Sequence, residues 1–420
     1  MPGPVSYLSS GPAVLLFLLL QFVSVGLLPG YIVLGEGFFD SLALSGPMFN
    51  ASLVNMTALV LGTWVMHRFQ RHPRRHPSAY ILPVTMTTYA VLLLILVATH
   101  APISVKALLL GFLMVLVFQG FNYLLERKRI ALRLYYLPLG NYARLRDTAN
   151  YKFRPLRRAV RPTTHIDGVV VDFHSAELSP VWQRFLAACA LDGTPVYEIG
   201  QVCESISGRV ELDHLNENDL GQLAPSKLSQ ELKWLVDVAF LFAMLPLLVP
   251  IMTLIGLCIV LDSPGGAFFV QERIGYLGKT FRVLKFRSMV VDHGGAHFTG
   301  SDESHRITRV GRIIRRYRLD ELPQFWNVLR GEMSLIGPRP ESSVLAEWYA
   351  REVPFFAYRH VVRPGISGWA QVMQGYAAGV DEVRDKLGYD FYYIKHFSPW
   401  LDLLVWYKTI RTVVTGFGSR

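Results

Sequence analysis

The chain has 420 residues, 51% of them hydrophobic and 18% charged, with a mean hydropathy of +0.29. That balance is too apolar for an ordinary soluble enzyme and indicates a membrane protein with folded parts outside the bilayer. The formal charge of +10 suits anionic phospholipid or phosphate-bearing substrates. No nucleic-acid partner is expected, since long apolar segments would have no role there. Cys189, Cys203 and Cys258 are too widely spaced for a disulfide framework or a zinc site, which fits a reducing compartment. The opening Met-Pro-Gly-Pro has no Lys or Arg before the first apolar run, so that run reads as a retained anchor rather than a cleaved signal.

Four apolar segments, at 12–34, 46–66, 80–99 and 102–125, each approach the roughly 20 residues that cross a bilayer. Their near lack of charge argues against buried helices of a soluble protein, although the second carries Asn50, Asn55 and Thr57. The run His67-Arg68-Phe69-Gln70-Arg71-His72-Pro73-Arg74-Arg75 separates the second and third, and Arg127-Lys128-Arg129 and Arg133 follow the fourth. The other connections hold Glu36 and Asp40, or almost nothing. Lys and Arg collect on the cytoplasmic side, so both termini and everything after Leu125 are expected there. Three parts result: four transmembrane helices over 1–128, a cytosolic α/β domain over 129–226, and a catalytic domain over 227–420.

The middle part is more polar. His165-Ile-Asp-Gly-Val-Val-Val-Asp-Phe173 reads as a buried strand, 182–191 as a helix and 194–199 as the next strand, a parallel α/β unit. A dinucleotide site would need a glycine fingerprint opening a helix. Leu137-Pro138-Leu139-Gly140-Asn141 supplies one glycine and a proline, so a structural or regulatory domain is expected. Pro225 and Ser226 mark its end.

The segment 234–261 is long enough to span, yet a single crossing would separate the residues after it from the cytosolic basic loops. Pro246 and Pro250 sit near its middle. Each removes a backbone donor and crowds the preceding turn, so a re-entrant helix–break–helix that enters and leaves by the cytosolic face is expected. Non-helical backbone at that depth must be covered by protein.

The chemistry gathers at Arg315-Arg316-Tyr317-Arg318-Leu319-Asp320-Glu321-Leu322-Pro323-Gln324-Phe325-Trp326-Asn327. Leu322, Phe325, Trp326 and Leu329 recur at helical spacing, which would place Asp320 and Glu321 at a helix start with Pro323 in the first turn. Acidic residues there often only cap a helix and complement its dipole. Two adjacent carboxylates repel, however, and one keeps its proton unless cations stand nearby. Arginines at 306, 309, 312, 315, 316 and 318 supply such charge. A divalent metal on one carboxylate would leave the other free as a nucleophile, and carboxylates do form acyl phosphates. The arginines at 306, 309, 312 and 315, interleaved with isoleucine and valine, read as an amphipathic basic helix with one or two of them in chemistry. Arg339, between Pro338 and Pro340, is a guanidinium on a rigid loop, ready for phosphate oxygens. His293, His297 and His305 fall in a Gly-rich stretch that reads as a flexible loop rather than a metal site. The stretch 397–414 reads either as an interfacial amphipathic helix or as a helix packed on the catalytic core.

From Lys233 onward the chain resembles the bacterial sugar transferase family, the polyprenyl-phosphate sugar-1-phosphate transferases with a monotopic catalytic core. Five motifs occur in order: Gln271-Glu272-Arg273-Ile274-Gly275, Leu284-Lys285-Phe286-Arg287-Ser288-Met289, Leu319-Asp320-Glu321-Leu322-Pro323-Gln324, Leu335-Ile336-Gly337-Pro338-Arg339-Pro340 and Arg363-Pro364-Gly365-Ile366-Ser367-Gly368-Trp369-Ala370-Gln371-Val372. With the four preceding spans and the α/β part, the chain looks like the large subfamily that starts exopolysaccharide, capsule or O-antigen repeat units. The resemblance implies a four-helix membrane bundle, a degenerate Rossmann-like α/β domain, and a mainly α catalytic domain with a re-entrant helix and interfacial helices. It also implies a place in the bacterial inner membrane, with the catalytic domain on the cytosolic face.

The implied activity moves a sugar 1-phosphate from a UDP-sugar, with glucose or galactose as the expected sugar, to undecaprenyl phosphate. Asp320 would be the nucleophile, and Glu321 would hold Mg²⁺, with Mn²⁺ as a substitute. Lys285, Arg315 and Arg339 match positions expected to hold phosphate. Arg287, Arg363 and Gln371 lie within the motifs as further candidates for substrate contact. Asp390, in Tyr389-Asp390-Phe391-Tyr392-Tyr393, matches another recurrent polar position. A homodimer and downstream glycosyltransferases are the protein partners the resemblance allows. One departure falls at the helix break: the family often has Ser-Pro, and here Val249 precedes Pro250. The rival readings are an inactive scaffold or regulator of polysaccharide assembly, which the intact dyad argues against, and a sugar-nucleotide-modifying oxidoreductase or epimerase, which the missing glycine fingerprint argues against.

Overall fold

The structure, a computed structural model, describes residues 12–38, 46–69, 80–129, 132–148, 151–160, 166–212, 224–290, 306–375 and 379–415. Most of the basic run 67–75 and the histidines at 293, 297 and 305 lie outside them. The chain divides into two compact units, Met1–Ser207 and Gly208–Arg420.

The first unit opens with α1 (Pro12–Leu34), α2 (Pro47–Phe69), α3 (Ile81–Ala98) and α4 (Val105–Arg129). All four are long and apolar enough to cross a membrane. Hydrocarbon offers no hydrogen bonds, so polar side chains must find partners within the bundle. Gln21 and Asn122 do so reciprocally, each amide nitrogen donating to the other's oxygen at 2.9 and 3.0 Å. Tyr89 donates to Asn55, whose own amide donates to the Ala107 carbonyl. Thr85 donates to Gln119. Helices close in over these amides at glycines: a Cβ at Gly111 or Gly62 would lie 2.0 Å from Asn55 or 2.1 Å from Gln119.

A four-stranded parallel sheet follows, made of β1 (Leu132–Tyr136), β2 (Tyr151–Pro155), β3 (Gly168–Val171) and β4 (Val196–Glu198) in the order β2-β1-β3-β4. Period-two alternation splits its core. Tyr135, Val169 and Val171 pack with Leu186 and Cys189 of α5 (Pro180–Leu191). Leu134 and Val170 pack with Ile199 and Val202 of α6 (Ile199–Ser207). Helices on both faces let the Val-rich β3 bury completely. The loop after β1 turns at Gly140 (φ +61°), where Asp172 accepts from Asn141, and runs into a 3-10 turn, Tyr142–Arg144, rather than an α-helix.

The second unit begins on its own catalytic body: the Trp369 indole donates to the Gly208 carbonyl, and Val210 N–H donates to the Gly388 carbonyl. Next comes α7, Lys227–Asp262, with Ser226 as its N-cap. Its 36 residues would extend about 54 Å at 1.5 Å per residue. α7 stays helical through Pro246 and Pro250, with no non-helical segment separating two halves. Proline's fixed φ is itself helical, so the chain stays helical while each proline removes one intrahelical bond and crowds the carbonyl four residues before it. A stripe of Leu241, Leu248, Met252, Ile255 and Ile259 packs on the catalytic core, while Leu235, Phe242, Leu247, Leu254 and Leu257 stay exposed. Both ends are fastened to that body. Lys233 pairs with Asp402 at 3.0 Å and Asp237 accepts from Ser334 and Leu335, while Asp262 accepts from Val310 N–H.

The rest comprises β5 (Phe268–Ile274) antiparallel to β6 (Thr280–Phe286), α8 (Arg309–Arg316), α9 (Phe325–Leu329), β7 (Ser334–Ile336) parallel to β8 (Gly365–Ser367), α10 (Ser343–Glu352), α11 (Trp369–Met373), α12 (Val380–Lys395) and α13 (Pro399–Thr415). Of the two readings for the C-terminal helix, core packing is the one observed: Leu401, Leu404 and Val405 of α13 are fully buried.

Candidate active site

Three pieces of backbone converge. β6 carries Lys285. The run after α8 carries Asp320 and Glu321, and the link between them is Asn327, which is 1% exposed. Its side chain accepts from Leu284 N–H at 3.1 Å and donates to the Arg282 carbonyl at 2.7 Å, locking the dyad's segment against β6. The third piece is the Gly337–Glu341 loop leaving β7.

The dyad does not open an α-helix as its spacing suggested. α8 ends at Arg316, and Arg318 adopts a left-handed conformation (φ +54°). Leu319–Gln324 then form a 3-10 helix, and α9 follows as a single turn. At three residues per turn, neighbouring side chains point about 120° apart, so the two carboxylates diverge and meet different surroundings.

Glu321 is buried. Arg339 grips it with both arms of the guanidinium, at 3.2 and 2.5 Å, and Lys285 Nζ stands 3.7 Å from Oε1. Burial would push its carboxyl up, but Arg339 and Lys285 outweigh that and hold it at about 2. The Glu321 charge in turn raises the Arg339 guanidinium further above its usual range. Burial pulls Lys285 down to about 8 against the opposing pull of Glu321. Asp320 differs: among the described residues no hydrogen bond or ion pair engages it. Burial and then the Glu321 charge raise its carboxyl, with Lys285, Arg339 and Arg315 opposing. Arg273, Lys285, Gln324 and Arg339 line a small cavity here. Arg273, Lys285, Arg315, Arg318 and Arg339 all act electrostatically on this cluster, five cations against Asp320, Glu321 and the neighbouring Glu341. An excess of positive charge around a buried pair is an anion site waiting for its anion.

Of the α8 arginines, Arg309, Arg312 and Arg316 are exposed, and Arg315 is the one drawn toward the dyad. Arg287 and Arg363 are not brought to it. Arg287 donates to the carbonyls of Ser263, Pro264 and Gly265, closing the end of α7. Arg363 donates to Gly331 and Gln230 carbonyls and to Glu231, with its guanidinium over Trp234 and Tyr276. Gln371 is buried beside Gly368, with its carbonyl oxygen unpartnered among the described residues. Asp390 is paired with Arg359 rather than open to a ligand. Sequence reasoning placed no role on Arg273, Asn327 or Arg359. Arg273 stood within a motif, whereas Arg359 had no signal of its own.

Residues 228–416 match the model of the bacterial sugar transferase family. Across 92% of this chain and 91% of its own length, a UDP-N-acetylgalactosamine-undecaprenyl-phosphate N-acetylgalactosaminephosphotransferase of Aeromonas hydrophila is 42% identical. The chain belongs to the bacterial sugar transferase family. Two further relatives of this transferase carry the name UDP-glucose:undecaprenyl-phosphate glucose-1-phosphate transferase. The Caulobacter vibrioides protein is 39% identical over 44% of this chain and 70% of its own, and the Escherichia coli protein 37% identical over 46% and 42%. The transferase is thus a membrane-embedded phosphoglycosyl transferase, and the cationic cluster around Asp320 and Glu321 lies inside the matched region.

For a divalent metal, the donor chemistry fits. Glu321 is ionised at neutral pH, the Asp320 oxygens accept no hydrogen bond among the described residues, and Mg²⁺ is commonly held by one or two carboxylates together with substrate phosphates and water. Arg339 shares Glu321 with any such ion, since both carboxylate oxygens already accept from it.

Proposed function

We propose that this transferase moves a sugar 1-phosphate from a UDP-sugar to undecaprenyl phosphate by way of a covalent intermediate on Asp320. The observation that carries the reading is the division of labour in the dyad: Glu321 is committed to Arg339 and Lys285, while among the described residues no hydrogen bond or ion pair engages Asp320 beside it. An Asp320 oxygen attacks the β-phosphorus, the bond to the bridging oxygen breaks, and UMP leaves. An oxygen of undecaprenyl phosphate then attacks the same phosphorus, the bond to Asp320 breaks, and the lipid diphosphate sugar departs with the carboxylate restored. A soluble and a lipid substrate thereby use one site in turn. Phosphoryl transfer asks mainly for positioning and charge neutralisation, which Arg339, Lys285, Arg273 and Arg315 supply. Mg²⁺, or Mn²⁺ in its place, when held by Glu321, adds neutralisation of the diphosphate. The step begins assembly of a polysaccharide repeat unit such as that of exopolysaccharide, capsule or O-antigen.

The Aeromonas hydrophila relative, which matches 92% of this chain, is named for N-acetylgalactosamine, whereas the two glucose-named relatives match 44% and 46% of it. That supports UDP-N-acetylgalactosamine as the donor over the glucose or galactose donors expected from sequence. A donor panel of all three with undecaprenyl phosphate, read by UMP release, tests the activity; no release from any of them contradicts it.

The re-entrant reading of α7 is supported by its two fastened ends, since a helix tied at both ends to one folded body cannot carry that body across a bilayer. In this reading the bare apolar face of α7 sits in lipid, and both flanks stay on the cytosolic side of the inner membrane. Single cysteines at Glu231 and Lys279 should label from the same side; labelling from opposite sides contradicts it.

A further inference from the structure

The Arg339 guanidinium is held at its tip by Glu321, a partner it must share with substrate. Its backbone is secured separately. Four consecutive carbonyls of the loop are each held by a different donor. Pro338 O accepts from Gly365 N–H at 2.9 Å, Arg339 O from Arg359 Nη2 at 2.9 Å, Pro340 O from Arg273 Nη1, and Glu341 O from Ile274 N–H at 3.1 Å. Pro338 and Pro340 fix their own φ angles, so the carbonyl of Arg339 reports the main remaining freedom at that residue. The donor that fixes it is itself anchored. Arg359 lies on the 3-10 turn Phe356–Val361 and is 1% exposed at its side chain. Its Nε and Nη2 reach Asp390 Oδ2 on α12 at 3.0 and 2.7 Å. Nη1 stands 3.7 Å from Glu341, which Lys386 also neutralises, and the guanidinium lies 5.1 Å from the Phe356 ring centroid. A fully buried ion pair is a weak source of net stability, so its presence calls for another explanation.

We propose that Arg359, held by Asp390, is a positioning residue of the transferase: it fixes the Arg339 carbonyl and thereby aims the Arg339 side chain at Glu321 and at the donor phosphate. This rests on the phosphate role of Arg339 given above. Neither Arg359 nor Asp390 touches substrate. Asp390, which sequence reasoning offered as a substrate contact, acts two links away through Arg359 and the loop backbone.

The test is a double-mutant cycle in the full-length protein in nanodiscs, using Asp390→Asn, Arg339→Ala and their combination. Asp390→Asn alone should lower kcat by about 100-fold, as a misaimed group about 1 Å out of place does, with KM for the UDP-sugar little changed. In the Arg339→Ala background the same change should cost nothing further, because there is no longer a side chain to aim. Losses that multiply, or an effect confined to KM, overturn the inference and leave the phosphate role of Arg339 standing. A fully active Arg339→Ala overturns both. Removing one partner of a buried pair can unfold a protein; if Asp390→Asn does, the charge-free pair Arg359→Met with Asp390→Leu replaces it in the same cycle, with the same outcomes decisive.

Discussion

Both units of this protein bury polar side chains, and the membrane bundle and the surroundings of Asp320 and Glu321 do so in different ways. The membrane bundle buries neutral amides and hydroxyls, and Gln21 with Asn122 and Asn55 with Tyr89 largely satisfy one another. The catalytic unit buries ions, and around Asp320 and Glu321 the cations outnumber the carboxylates. Amide pairs in lipid join helices at modest gain and ask for nothing more. A surplus of buried cations is costly without a ligand and becomes favourable when an anion arrives. The contrast therefore separates groups that hold the fold together from groups that await substrate.

That division can be broken in graded steps. The largest expected effect is at Asp320. Asp320→Asn should lower UMP release by about 10⁴-fold or more while the protein stays folded, checked by turnover beside thermal unfolding. Next come Glu321→Gln and Arg339→Ala, each expected to lose about 10²–10³ in kcat. Glu321→Gln should also weaken the dependence of rate on added Mg²⁺, read by titration after chelation. A smaller effect is a pH dependence. Lys285 has a depressed value of about 8, so it is charged below that pH and loses its proton as pH rises through it. KM for the UDP-sugar should therefore rise above about pH 8, and Lys285→Arg, charged throughout, should flatten that limb. The smallest effect belongs to the bundle. Replacing Gln21 and Asn122 together by leucine should change stability by about 0.6 kcal/mol and leave kcat unaltered. A large loss of activity there would erase the distinction between the two kinds of burial.

Parts of this arrangement were written locally in the chain. The spans at 12–34 and 105–129 announce themselves because apolar length is a property of contiguous residues. Asp320 and Glu321 are adjacent, and Arg339 follows between prolines, so the dyad and its cation could be read from the chain before either was placed. What could not be read was pairing over distance. Arg359 meets Asp390 31 residues on and Arg339 20 residues back, with no periodicity to link them. Asn327 stitches the dyad to β6 across more than 40 residues. Arg287 and Arg363 sit in motifs that suggested substrate, yet their donors are taken by carbonyls at the end of α7 and beside its start. The break at Pro246 and Pro250 was argued from local sterics, and packing of Leu241, Leu248, Met252, Ile255 and Ile259 along one body instead accompanies a continuous helix. The dyad's 3-10 geometry likewise follows from Arg318 turning left-handed, a conformation that residue type alone does not foretell.

The most direct measurement is rapid-quench intact mass spectrometry of the protein mixed with UDP-N-acetylgalactosamine and Mg²⁺, without lipid acceptor. The account predicts an added mass of one phosphosugar, located to the peptide containing Asp320, formed with UMP release and discharged when undecaprenyl phosphate is supplied. Steady formation of lipid product with no such adduct at any quench time, under conditions where Asp320→Asn remains active, would contradict it.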